Sequence, residues 1–63
     1  MNYFIVFLAE DGWEWCALYT KNLNYAKKVY DDITPPPEYY KELRQTREPI
    51  DTYISFDVID STY

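Results

Sequence analysis

Residues 3–20, YFIVFLAEDGWEWCALYT, decide the fold of this chain. Residues 3–9 are a run of large apolar side chains, rich in β-branched and aromatic types, which is typical of a strand buried on both faces. The pair Asp11-Gly12 follows, and Asp-Gly favours a tight hairpin turn because glycine tolerates a positive φ. Residues 13–20 predict a second strand, so the whole stretch predicts a β-hairpin.

The second strand leaves open which of its faces is buried. Regular alternation divides it into two sets, one of Trp13, Trp15, Ala17 and Tyr19, the other of Glu14, Cys16, Leu18 and Thr20. If the tryptophan set packs on the rest of the fold, Glu14 faces outward. If the other set is buried, both tryptophans are exposed and leave an apolar patch of a kind that monomers rarely tolerate without a partner.

The next segment predicts an amphipathic helix over residues 22–33. Apolar residues recur there at helical spacing, at Leu23, Ala26, Val29, Tyr30 and Ile33. Asn22 is a suitable N-cap because its side chain can accept a hydrogen bond from an orphan backbone N–H. The prolines at 35–37 end the helix, since proline lacks the N–H that would continue it.

The remaining chain predicts a short second helix over residues 38–45, with Tyr40 and Leu43 pointing inward, and a C-terminal strand over residues 50–58. That strand alternates, with Ile54 and Phe56 on one face and Tyr53 and Asp57 on the other. The predicted fold class is α+β: a three-stranded antiparallel sheet, made of the hairpin and the C-terminal strand, packed on one amphipathic helix. The element order is β-β-α-(short α)-β, and residues 1–63 form a single compact domain.

The composition argues against most chemistries. Cys16 is the single cysteine and histidine is absent, which excludes an internal disulfide and a Cys/His zinc site. A nucleophilic triad lacks its usual base, and one glycine cannot build a phosphate-binding loop. We therefore predict that the protein is not an enzyme and has no catalytic, cofactor-binding or metal-binding residues. We expect Cys16 to be a small buried hydrophobic residue.

Charge is unevenly distributed along the chain. Eleven acids oppose six bases, a net charge of −5, and all six bases lie in residues 21–47. The strand segments are therefore acidic, and a groove that grips phosphates is not expected. The acids either form the solvated face of a small sheet or, together with the tyrosines between them, bind a basic partner. Lys41, Arg44 and Arg47 predict a small solvated basic patch among glutamates.

The predicted function is that of a small acidic protein-binding module. The composition is typical of small phage-encoded proteins that bind and inhibit host machinery, such as a nucleic-acid-processing or defence protein, and DNA mimicry is one form of such inhibition. Acids and large rings are expected to bind a partner with a basic surface. The predicted partner-binding residues are Trp13, Glu14, Trp15, Asp51, Tyr53 and Asp57.

Two alternatives stay open. In the first, the chain is a self-associating structural or accessory protein whose aromatic face forms a homodimer. In the second, the aromatic sheet stacks single-stranded nucleic acid, although the strands lack the basic rim that such sheets need. The apolar run at 4–9 is too short to span a membrane. We therefore expect an intracellular, cytoplasmic protein without membrane contact, in the host cytoplasm if it is viral.

Overall fold

The computed structural model describes residues 1–47 and 56–63. Four strands and one helix follow one another as β1 (Asn2–Ala9), β2 (Glu14–Thr20), α1 (Leu23–Asp32), β3 (Tyr39–Thr46) and β4 (Asp57–Ser61). The strands form one antiparallel sheet in the order β2-β1-β3-β4. The α+β class, the antiparallel sheet, the hairpin and the amphipathic helix are confirmed. The three-stranded sheet is wrong, because the described residues form four strands.

The prediction of a short helix over 38–45 is wrong, because this segment is β3. It pairs with β1 along its whole length, from Ala9 opposite Tyr39 to Asn2 opposite Thr46. Because β1 is buried, its backbone N–H and C=O groups need hydrogen-bond partners at both edges, and β3 supplies the second edge partner. The C-terminal strand is predicted over 50–58. Residues 50–55 lie outside the described residues, and residues 57–58 belong to β4.

The main core lies between the helix and one face of the sheet. Buried side chains from β1, α1 and β3 form it: Ile5, Phe7, Ala26, Tyr30 and Leu43. The predicted N-cap is confirmed, since the Asn22 side chain accepts a hydrogen bond from the Tyr25 N–H at 3.0 Å. The opposite face of the sheet, here called the open face, also buries Phe4 and Val6. The central strand is thus buried on both sides, as predicted.

A β-bulge in β2 changes which residues share a face. Ile5 pairs with Leu18 and Val6 with Cys16, so one residue, Ala17, is left without a partner. Beyond the bulge the alternation is shifted by one position. Trp15 and Leu18 therefore lie on the helix side, and Cys16 and Tyr19 lie on the open face. The regular alternation predicted for 13–20 is wrong for this reason. Cys16 is exposed on the open face, so the prediction that it is buried is wrong.

Deprotonation of Tyr30 should destabilise the helix–sheet core at alkaline pH. Burial, followed by the charges of Asp60 and Asp31, raises the pKa of the Tyr30 hydroxyl to about 12 from its ordinary 10.0. The folded state therefore holds this proton more tightly, so its contribution to stability is complete below pH 10.0 and is lost as the pH rises towards 12. We expect urea midpoints to fall over this range in the wild type and to fall less in Tyr30→Phe.

The control for this experiment is Tyr25→Phe, because Tyr25 is exposed on the same helix. Its urea midpoint should follow the wild-type pH dependence. If Tyr30→Phe loses stability above pH 10.0 as steeply as the wild type, other groups set the alkaline limit.

Candidate protein-binding site

The structure separates the residues that the sequence predicts for partner binding. Trp13 and Trp15 are exposed, at 64% and 46% of their surface, near the hairpin turn. Asp57 is exposed at the start of β4, opposite Gln45, at the other end of the sheet. Asp51 and Tyr53 lie outside the described residues. The two tryptophans are therefore close to each other, and Asp57 is roughly 20–25 Å away by the length of β1.

Glu14 lies on the open face and is engaged within the molecule. Both of its carboxylate oxygens accept hydrogen bonds from Arg44, one from Nη1 at 3.3 Å and the other from Nη2. Arg44 Nε also donates to Glu42 Oε1 at 2.6 Å. The centre of the Phe56 ring lies 4.1 Å from the guanidinium carbon. Burial lowers the pKa of Arg44, but the hydrogen bonds to Glu14 and Glu42 outweigh it and raise the pKa. Glu14 thus has a structural role besides its predicted one.

The hairpin turn and the start of β3 enclose an acidic cleft. Ala9 pairs with Tyr39, so the turn residues Glu10 and Asp11 and the residue before β3, Glu38, extend beyond the last pair of the ladder. They surround an open cleft of about 650 Å³. We call it the acid–aromatic cleft, and the described residues that line it are Ala9, Glu10, Asp11, Glu38, Tyr39 and Tyr40.

The hairpin turn holds two of the three carboxylates in place. The Ala9 N–H donates to the Trp13 carbonyl at 2.9 Å, and the Gly12 N–H donates to the Ala9 carbonyl at 3.1 Å. Gly12 has a φ of +93°, which an L side chain rarely adopts. Asp11 Oδ1 accepts a hydrogen bond from the Trp13 N–H at 3.0 Å. The Asp-Gly pair that identifies the hairpin in the sequence therefore also fixes one wall of the cleft.

Glu38 lines the cleft, and its backbone conformation is strained. Its φ of +70° lies in the left-handed region, which costs a residue with a side chain about 1–2 kcal/mol. A turn at this point sets the conformation, since the Tyr39 N–H donates to the Pro36 carbonyl at 3.1 Å. Glycine would relieve the strain, yet the sequence has a carboxylate here.

Aromatic rings form the rest of the cleft and its surroundings. The Tyr40 hydroxyl donates to Glu10 Oε1 at 3.2 Å, and this hydrogen bond, together with the Glu10 charge, raises the pKa of Tyr40. The Tyr40 ring packs edge-on against the Tyr63 ring, with 4.9 Å between the ring centres. On the helix side, the Tyr39 ring packs against the Trp15 ring, with 6.0 Å between the ring centres. Exposed π-faces and carboxylates therefore lie together at this end of the sheet.

The cations of β3 do not reach the cleft. Lys41 points to the helix side, where its Nζ donates to the carbonyls of Tyr30 and Ile33 at the end of α1. Arg44 is buried on the open face with Glu14. The solvated basic patch predicted from Lys41, Arg44 and Arg47 is wrong, because a strand directs the side chains of 41 and 44 to opposite faces. In the described residues, no ion pair involves an acid of the cleft.

Sequence reasoning missed most of this cleft. In the sequence, Glu10 and Asp11 are only an adjacent acidic pair, and Tyr40 is predicted to point inward from a short helix. The signal that joins them is the pairing of β1 with β3, which depends on recognising residues 39–46 as a strand. Among the described residues, no group of three or more His, Cys, Asp or Glu side chains is arranged to hold a metal ion.

Comparisons with known proteins add no family. No protein-family model matches the chain, and no curated protein or solved structure is significantly similar to it. Within residues 1–47 and 56–63, no helix has the length and apolar character that crossing a membrane requires.

Proposed function

We propose that this protein is a small acidic protein-binding module that docks a basic segment of a partner protein in the acid–aromatic cleft. The observation that carries the proposal is the convergence of three carboxylates, Glu10, Asp11 and Glu38, on one cleft whose described lining holds no cation. Like charges held together on a rigid scaffold attract a partner of opposite charge and speed its association.

The aromatic rings define the partner more closely. Tyr39 and Tyr40 line the cleft, and Trp13 and Trp15 are exposed beside it. An arginine side chain can stack on such rings and can also form paired hydrogen bonds with a carboxylate. An arginine-bearing segment therefore fits this site better than a purely apolar one, and tryptophan and tyrosine are common energetic centres of protein interfaces.

The biological role that we propose is inhibition or regulation. Proteins that bind or process nucleic acids carry basic surfaces, and an acidic ligand on such a surface competes with the phosphate backbone. A host nucleic-acid-processing or defence protein in the cytoplasm is the partner class that this chemistry supports. The same chemistry makes a direct complex of this chain with nucleic acid unfavourable, since its net charge is −5.

The test uses a synthetic hexa-arginine peptide, titrated against the ¹⁵N-labelled protein in about 0.15 M salt, where surface attraction is screened beyond about 8 Å. We expect amide shifts at Glu10, Asp11 and residues 38–40. The double variant Glu10→Lys/Glu38→Lys should weaken binding by about tenfold or more, because it removes two attractive charges and adds two repulsive ones.

The matched control is Asp31→Lys/Asp32→Lys, which changes the net charge equally on the exposed end of the helix. It should bind the peptide within about twofold of the wild type in the same buffer. Asp57→Lys tests the acidic sheet face that the sequence predicts for partner binding, and it should also have little effect. Equal weakening by the two double variants, with about half that loss of binding free energy in Asp57→Lys, would show that only net charge matters and would reject a defined site. Capture of a basic cellular protein by the wild type and the control, but not by the cleft variant, would identify the partner.

A further inference from the structure

In the described part of the chain, the bulge at Ala17 is the one usual protection that the outer edge of β2 has. Within the described residues, β2 is the first strand of the sheet and pairs only with β1. Edge strands are normally protected by lysines, prolines, other charged side chains, bulges or short length. The other edge, β4, has five residues and carries the exposed Asp57 and Asp60. By contrast, β2 has seven residues, and its one charged residue, Glu14, is paired with Arg44.

Large rings are exposed along this edge. Trp15 on the helix side and Tyr19 on the open face are each close to half exposed, and Trp13 precedes the strand with 64% of its surface exposed. Residues 15–20 carry no charge. An uncharged, aromatic strand edge on an acidic protein is a surface on which another strand can pair.

We infer that β2 pairs antiparallel with β2 of a second copy of this chain, forming one continuous sheet across a two-fold axis. The charges favour a second copy over another strand. Glu14 begins β2 and shares the single cation Arg44 with Glu42, so this cluster keeps a net charge of −1, and Lys21 directly follows the end of β2. In an antiparallel pair of identical strands, the acidic beginning of each strand lies beside the basic end of the other. A uniformly basic or acidic strand would match one end and be repelled at the other.

The bulge determines the register of the pair. Residues that lie opposite each other across an antiparallel pair must share a face. Because the bulge places Ala17 and Leu18 on the helix side and Cys16 and Tyr19 on the open face, the faces agree when Ala17 lies opposite Leu18. The same register places Cys16 opposite Tyr19. It also places Glu14 opposite Lys21, which is the charge match described above.

The first test is the solution mass as a function of concentration, measured by sedimentation equilibrium. Lys21→Glu should raise the dimer dissociation constant by about tenfold, since it places like charges opposite each other at both ends. Lys28→Glu is the matched control, because it makes the same charge change on the exposed face of α1, away from the edge. It should leave the dissociation constant within about twofold of the wild type.

The second test reads the register directly. Opposed residues in an antiparallel pair have Cα atoms about 4.5–5.5 Å apart, which a disulfide can bridge. In Tyr19→Cys, oxidation should therefore join Cys16 of one copy to the new thiol of the other. Within one chain the bulge places the two positions opposite Val6 and Phe4, about 7 Å apart on the same face, so the crosslink is scored as a product of twice the chain mass on a non-reducing gel. Tyr25→Cys on the helix, with Cys16 retained, should not give this rapid crosslink.

The mass and crosslinking experiments test the pairing of β2 with β2, and their results are scored separately from peptide binding at the acid–aromatic cleft. A wild-type protein that is monomeric at all concentrations would overturn it and would show that the bulge is enough to protect this edge. A dimer that crosslinks equally well through Tyr25→Cys, or that is unaffected by Lys21→Glu, would overturn pairing through β2. The two proposals are tested separately through residues that they do not share: Trp13 and Trp15 border both surfaces, whereas the cleft residues Glu38 and Tyr40 lie on the far side of β1 from this edge.

Discussion

Arg44→Met should lower the free energy of unfolding by about 3–5 kcal/mol, because removing one partner of a buried ion pair leaves uncompensated charge. Arg44 is only 3% exposed, and its guanidinium bonds to both Glu14 and Glu42. Methionine retains much of the side-chain volume, so the loss reports charge and hydrogen bonding rather than a cavity. Urea unfolding followed by tryptophan fluorescence and circular dichroism measures the change.

Two further variants separate this explanation from a general effect of losing an arginine. Arg47→Met changes the same residue type at an exposed position, and it should alter stability by less than about 0.5 kcal/mol. Adding Glu14→Gln and Glu42→Gln to Arg44→Met should recover a large part of the loss, since no buried charge then remains. If the triple variant is less stable than Arg44→Met alone, the carboxylates contribute to folding by interactions other than their pairing with Arg44.

The hairpin and the helix were predictable because local signals decide them. Asp11-Gly12 specifies the turn by its backbone preference, and Asn22 begins the helix by capping an orphan N–H. These signals act within a few residues, so they are readable without knowing the rest of the fold. The position of the helix stripe, with Ala26 and Tyr30 buried, follows from the same local periodicity.

The third strand was not predictable in the same way, because distant residues decide it. Tyr40 and Leu43 have helical spacing, and glutamate, lysine and arginine are good helix formers. In the structure, Leu43 packs in the core and Arg44 pairs with Glu14, thirty residues away in the sequence. Tertiary contacts thus override the local preference. The bulge at Ala17 was hidden for a similar reason, since it depends on the pairing between β1 and β2.

In the candidate site too, some features follow from local sequence signals and others depend on contacts between distant residues. Neither of the two arrangements that the sequence left open is found, because the bulge places Trp15 and Leu18 together on the helix side and Cys16 on the open face. The acid–aromatic cleft could not be foreseen, because Glu10 and Glu38 come together only through the β1–β3 ladder. A sequence shows which residues are acidic, and only the pairing of strands shows which acids lie together.

The charge of the cleft depends on where the β3 cations point. Lys41 follows Tyr40 directly in the chain, yet its ammonium is held at the C-terminal end of α1. Arg44 is held by two glutamates on the opposite face. Both cations are therefore engaged in stabilising the fold, and the acids at the end of the sheet are left to interact with other molecules. The same two contacts that stabilise the domain thus support the proposed binding function.

Lys41→Met should lower the free energy of unfolding by about 2–3 kcal/mol, because a charged donor leaves the end of a helix that has no basic residue in its own last turn. The Lys41 ammonium donates to the Ile33 carbonyl at 3.2 Å and to the Tyr30 carbonyl, and it lies 4.4 Å from the centre of the Tyr30 ring. Urea unfolding measures the loss, and amide hydrogen exchange should show that it is largest in the last turn of α1.

Lys28→Met is the matched control, since it removes a lysine from the exposed face of the same helix and should change stability by less than about 0.5 kcal/mol. Lys41→Arg keeps the charge and should retain part of the stability that methionine loses. Because the ammonium caps the helix and does not enter the cleft, Lys41→Met should bind the arginine peptide as the wild type does at temperatures where both are folded. Stronger peptide binding by this variant would contradict that assignment, since it would show that Lys41 competes with the peptide for Glu10 and Glu38.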